Sequence, residues 1–152
     1  MEFEKGFILA IEAIVEELET SLGKERAKDI IYRAGYKAGK KLGKKVGNTT
    51  PENAVNTILQ KISPFYKVKI ADIIKKDNEI EFAVQVLECS FRKILEKKGY
   101  KNPAVICRFI IGYIEGALKA MTGMEARHRV YTSTISNMCV GSITLKLKRV
   151  IE

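Results

Sequence analysis

Tryptophan is absent from the 152 residues, histidine occurs once, and proline and cysteine occur three times each. No uncharged apolar run approaches the roughly 20 residues that cross a bilayer, so a membrane span is not expected. Met1 to Leu9 has neither the basic start nor the small-residue cleavage site of a secretory signal, which points to the cytoplasm. Cys89, Cys107 and Cys139 are odd in number, scattered and without a Cys-x-x-Cys pair, so reduced thiols are expected rather than a disulfide framework. No stretch rich in proline, serine or glycine marks a linker, and residues 1–152 read as a single domain large enough to bury its own core. Catalytic signatures are missing as well. There is no Ser-His-Asp order, no glycine-rich phosphate loop after a strand and no His-Glu-x-x-His, so the expectation is a chain that binds and is not an enzyme.

What is plentiful is charge: 30% of residues are charged, with a formal net charge of +9. Clustered lysines gain affinity for phosphates by releasing counterions, and the stretch from Lys37 to Lys45 is the place where an anion, a nucleic acid or a lipid headgroup could be held. Few aromatic residues lie among these lysines, so base stacking lacks its platform and a nucleic-acid partner is disfavoured. Abundant Lys, Glu and Ile are also the composition of a heat-adapted protein with a charge-laced surface.

Apolar residues from Phe7 through Ile11, Ile14, Val15 and Leu18 to Leu22 recur at three- and four-residue spacing among glutamates, which predicts an amphipathic helix over residues 3–22 closed by Gly23. The period continues from Lys24 to Val46 and stops at Gly47. Thr50 followed by Pro51 opens a third helix that runs to about Ile62 before Ser63-Pro64. The period then changes to two. Tyr66, Val68 and Ile70 alternate with lysines, as do Ile80, Phe82, Val84 and Val86 with polar or small neighbours, and the two runs predict an antiparallel pair joined near Asp77-Asn78. Phe91 to Lys98 allows a short helical turn. Asn102-Pro103 begins the most apolar helix, ending at Gly123, and Val130–Ile135 and Ser142–Ile151 read as closing strands. Three helices, two strands, a buried helix and two strands predict an α+β fold with helices packed on a small antiparallel sheet.

Two features stand out for function. Gly35, Gly39 and Gly43 on the second helix and Gly112 and Gly116 on the apolar one repeat at four-residue spacing. Each interior glycine costs on the order of 1 kcal/mol against alanine, so a compensating close backbone approach is implied, within the core, at a subunit interface or beside a groove held open for a ligand. On the apolar helix the charged residues Arg108, Glu115 and Lys119 share one stripe with Gly112, and Cys107 shares a face with Ile111, Ile114 and Leu118. These four are the expected lining of an apolar small-molecule pocket, with Cys107 either a small core hydrophobe or a thiolate ligand. His128, between Arg127 and Arg129, reads as a surface strand residue.

The run Tyr36-Lys-Ala-Gly-Lys-Lys-Leu-Gly43, then a β-hairpin, then Cys107-Arg-Phe-Ile-Ile-Gly-Tyr-Ile-Glu-Gly116 and a closing strand pair resembles the 4-vinyl reductase, or hydrocarbon-binding, domain family over most of the chain. It is also similar to the small subunits of the TRAPP vesicle-tethering complex. The resemblance implies the ligand-binding fold of the NO-signalling and Golgi-transport superfamily, a homodimer or heterodimer, the homodimer expected here, and a cavity for an apolar molecule in each subunit. A TRAPP-like assembly subunit is the alternative. It also implies zinc. Cys107 and Cys139 match the family's first and last ligands, Val130 and Ser133 fall where the middle pair would be and cannot serve, and Glu125 and His128 offer a Glu-x-x-His nearby.

Overall fold

The computed structural model describes residues 2–92, 105–132 and 139–147. Helices α1 (Glu2–Leu22), α2 (Lys24–Val46) and α3 (Pro51–Ile62) come first, followed by strands β1 (Tyr66–Lys76) and β2 (Glu79–Cys89). Helix α4 (Cys107–Thr122) then leads to β3 (Glu125–Thr132) and β4 (Cys139–Lys146). The α+β class and the antiparallel sheet expected from the sequence are both present. The caps act where the sequence put them: the Thr50 side chain accepts from Asn53 N–H at 3.4 Å, and Gly123, in the left-handed region at φ 70°, donates to Lys119 O to end α4.

The four strands lie in the order β1-β2-β4-β3, every neighbouring pair antiparallel. The last of these strands in the sequence, β4, therefore lies between β2 and β3. Phe82, Val84 and Val86 point to the core, with Ile143 opposite Phe82 and Leu145 opposite Ile80. Against this face pack Val55, Ile58 and Ile62 of α3 and Ile110, Ile114, Leu118 and Met121 of α4. Helix α2 packs along α4, and α1 packs on α2.

The helix pair α2/α4 is held by its glycines. Gly35 faces the backbone of Phe109, Gly39 that of Tyr113 and Gly43 that of Ala117, so the two helices run parallel. In return Gly112 faces Tyr32 and Gly116 faces Tyr36. A Cβ at Gly39 would stand 2.7 Å from the Tyr113 carbonyl carbon, closer than real Cβ atoms come. The spacing in the sequence is thus a seam where two backbones touch within one chain.

Three expectations need correction. Strand β3 begins at Glu125, not Val130, and β4 at Cys139, not Ser142. The early part of β3 was hidden because its inward positions are Ala126 and His128, which do not register as apolar alternation, and Gly141 interrupts the same signal in β4. His128 is the third. It is 3% exposed, because strand alternation turns it to the opposite face from Arg127 and Arg129. The expected helix start at Asn102-Pro103, most of the turn over 91–98, and the strand residues after Thr132 and after Leu147 lie outside the described residues.

Candidate functional site

Glu115 and His128 are the buried polar or charged side chains among the described residues, at 6% and 3% exposure. Glu115 comes from the charged stripe of α4, which faces α2; His128 comes from the core face of β3. Glu115 accepts from the Tyr32 hydroxyl at 2.6 Å on one oxygen and from the His128 backbone N–H at 3.1 Å on the other. The carboxylate thereby ties α2, α4 and β3 together. Burial first, and the Glu115 carboxylate second, raise the Tyr32 phenol well above the ordinary tyrosine range, so it stays protonated and keeps donating.

The imidazole of His128 is equally constrained. Its Nδ1 lies 3.1 Å from the Ser142 carbonyl oxygen, and Nε2 lies 3.0 Å from the Tyr66 hydroxyl. A carbonyl can only accept, so Nδ1 carries the hydrogen and Nε2 accepts from Tyr66. Burial pulls its pKa down to about 4, which leaves the ring neutral at physiological pH. Burial also raises the phenol of Tyr66 and the thiol of Cys89 beside it.

Two concavities flank this network. The larger, about 600 Å³, is a cleft open to solvent between α2, α4 and β3. Its walls include Lys28, Asp29 and Tyr32 from α2, Arg108 and Ile111 from α4, and the stretch from His128 to Tyr131 of β3. The smaller, about 180 Å³, lies against Tyr36, Glu115 and Lys119, with Tyr32 common to both. The Arg108 guanidinium sits 5.2 Å from the centroid of the Tyr32 ring, within cation–π range.

Of the expected pocket residues, Ile111 lines the cleft. Ile114 and Leu118 are fully buried in the main core, and Cys107 is half-buried at the start of α4. The expected metal set is not assembled: among the described residues no three His, Cys, Asp or Glu side chains are grouped to hold a metal ion. Glu125 is exposed at the start of β3, and both ring nitrogens of His128 are engaged within the fold. Lys37, Lys40, Lys41, Lys44 and Lys45 are all exposed on α2 and belong to neither concavity. The residues missed in the sequence are Tyr32, Tyr66, Arg108 and Glu115 as site members. The signal for Arg108 was present, since it heads the one charged stripe on an otherwise apolar helix.

An α+β domain with a cleft on its helix seam and a buried carboxylate and imidazole beneath is the class these features define. The chain belongs to the L-2-amino-thiazoline-4-carboxylic acid hydrolase family, whose model matches residues 2–123. Among solved structures it is similar to the phenol-responsive sensory domain of the transcription activator PoxR with phenol, at TM-score 0.68 and 19% identity, covering 91% of this chain and 74% of that one. No curated protein matches it by sequence. The family carries another name than the 4-vinyl reductase group suggested by the glycine spacing, and what stands of that resemblance is the fold shared with that sensory domain. Membership of a family named for a hydrolase overturns the expectation that the chain is not an enzyme. Among the described residues no helix is long and apolar enough to cross a membrane.

Proposed function

We propose that the cleft between α2, α4 and β3 binds a small molecule and that the chain hydrolyses it with the help of the Tyr32–Glu115 pair. The observation that carries this is the placement of the two buried polar side chains beside the concavities, His128 against the cleft and Glu115 against the smaller one, with Tyr32 common to both. A core selected for stability alone favours apolar residues there, because buried charge is expensive to desolvate. Glu115 is a carboxylate already holding a phenol hydrogen, and a water entering beside Tyr32 would meet a hydroxyl whose lone pair accepts while Glu115 draws on its proton. The family name supplies the class of chemistry, hydrolysis of a small sulfur- and nitrogen-containing ring: the water oxygen bonds to the carbon between nitrogen and sulfur, the carbon–sulfur bond breaks, and the sulfur leaves as a thiol with the proton that Glu115 received through Tyr32.

The test uses L-2-amino-thiazoline-4-carboxylic acid as the probe, with ring opening followed by mass spectrometry. Glu115→Gln keeps the shape of the side chain and should lower turnover by about 10²- to 10⁴-fold, the range for loss of a general acid or base, with the circular dichroism spectrum retained. Absence of turnover in the wild-type chain, or full turnover in Glu115→Gln, would refute the proposal.

A homodimer built on α1 belongs to the same reading. Leu9 and Ile14 are 68% and 59% exposed on a helix whose main packing is against α2 alone. Apolar side chains in that number on one helix fit a self-complementary contact between two copies. Sedimentation at micromolar concentration should give twice the chain mass, and a monomer would exclude it.

A further inference from the structure

We infer that the open edge of β3 is a recognition surface of the cleft, and that the main chain of Val130 hydrogen-bonds the ligand there. This rests on the cleft being the small-molecule site. Strand β3 stands last in the order β1-β2-β4-β3, so one of its edges pairs with β4 and the other pairs with no strand. In an antiparallel strand the N–H and C=O of one residue point to the same side, and successive residues alternate between the two sides. Two observations fix which residues of β3 point away from β4. The His128 N–H leaves the sheet and donates to the Glu115 carboxylate at 3.1 Å. On β4, a Cβ added at Gly141 would collide with the Arg129 carbonyl oxygen, so that oxygen points towards β4. A trans peptide unit is planar, with its C=O and N–H opposed, and the N–H of the next residue, Val130, is therefore sent the other way. His128 and Val130 are two residues apart, and both observations give the same alternation.

The side left open at Val130 is the side of the cleft. His128, Arg129, Val130 and Tyr131 line it in unbroken succession. Side chains on one face of a strand would line it at every second residue, so the wall is the strand's edge. Among the described residues neither the N–H nor the C=O of Val130 has a hydrogen-bond partner. Folded proteins usually cover or block such an edge. Here the block is local: Glu115 occupies the N–H of His128, and strand addition cannot run past that residue. Val130 is left with one donor and one acceptor side by side, facing a cavity of about 600 Å³. The pair fits a planar ligand edge that carries an acceptor beside a donor. Because the contact is made by main chain, no side-chain motif announces it in the sequence.

Amide hydrogen exchange followed by nuclear magnetic resonance tests this on the whole chain. The probe is L-2-amino-thiazoline-4-carboxylic acid, whose ring nitrogen and amino group present such an edge, added to the Glu115→Gln variant to slow its turnover. Saturating probe should slow exchange of the Val130 N–H by about 3- to 10-fold, the net worth of one hydrogen bond. Val130→Pro deletes that N–H and no bond to β4, a change that edge strands tolerate. It should weaken the probe by the same factor, and Val130→Ala, which keeps the N–H, should lose less. If Val130→Pro fails to fold, the exchange rate at Val130 decides alone. Unaltered exchange at Val130 while Ile111 and Tyr131 shift, or undiminished binding by Val130→Pro, overturns the main-chain contact and leaves the cleft reading in place. No shift at any residue of the cleft removes both.

Discussion

Gly39→Ala is the perturbation whose outcome the seam between α2 and α4 decides. On a solvated helix face, adding a methyl to glycine stabilises by about 1 kcal/mol through helix propensity. At Gly39 the methyl carbon would lie 2.7 Å from the Tyr113 carbonyl carbon and nearer still to its oxygen, and the atoms it meets are backbone, which cannot swing aside. The helices cannot slide to relieve it, because Gly35, Gly43, Gly112 and Gly116 engage the same seam. The overpacking cost is therefore placed at the upper end of the usual range, about 3 kcal/mol, for a net loss of about 2 kcal/mol. For a domain of this size that is a fall in Tm of about 4–8 °C. The companion is Ala34→Gly on the same helix, at an exposed position, which should lose about 1 kcal/mol by propensity alone. Thermal and urea unfolding of the three proteins measure both. Opposite swaps on one helix should thus each destabilise, and a Gly39→Ala variant as stable as the wild type or more so would show that the seam does not exist.

The buried imidazole makes a prediction about pH. With the folded-state pKa lowered to about 4 against 6.5, the unfolded chain takes up a proton below pH 6.5 that the folded chain refuses. Stability from this residue should therefore be full above pH 6.5 and decline as pH falls towards 4, by about 3 kcal/mol over that window. His128→Gln removes the titration, so its urea midpoint should depend less on pH over that range than the wild type's; parallel slopes would refute the assignment. On α1, Ile14→Glu should shift the chain to monomer in sedimentation with little change in its circular dichroism, and a dimer that survives would place the interface elsewhere. The Glu115→Gln variant tests the chemistry of the cleft apart from its stability.

Much of the architecture was legible because its elements follow simple periods. Helices α1 to α3 and the first hairpin were read from apolar spacing and from Thr50, Pro51 and Gly23, and the close backbone contact was read from glycine spacing alone. The second half of the sheet was less legible, since Ala126, His128 and Gly141 occupy inward positions without looking apolar. The site was the least legible part. Tyr32 is one of two tyrosines in a lysine-rich helix, and Tyr66 is the first residue of a strand. Nothing local in sequence says that the first meets Glu115 and the second meets His128. His128 was misjudged because its neighbours in sequence are arginines, whereas its neighbours in space are Tyr66 and the Ser142 carbonyl.

The glycine seam also divides labour between main chain and side chains. One wall of the cleft stands on α2 and another on α4, and the gap between them is a backbone dimension, fixed where no side chain intervenes. The charge of those walls, by contrast, is carried by long side chains such as Lys28 and Arg108 that take no part in the seam. Width and chemistry are thus written in different residues. A substitution among the wall residues can retune which molecule is accepted while the jaw that holds it keeps the same gauge.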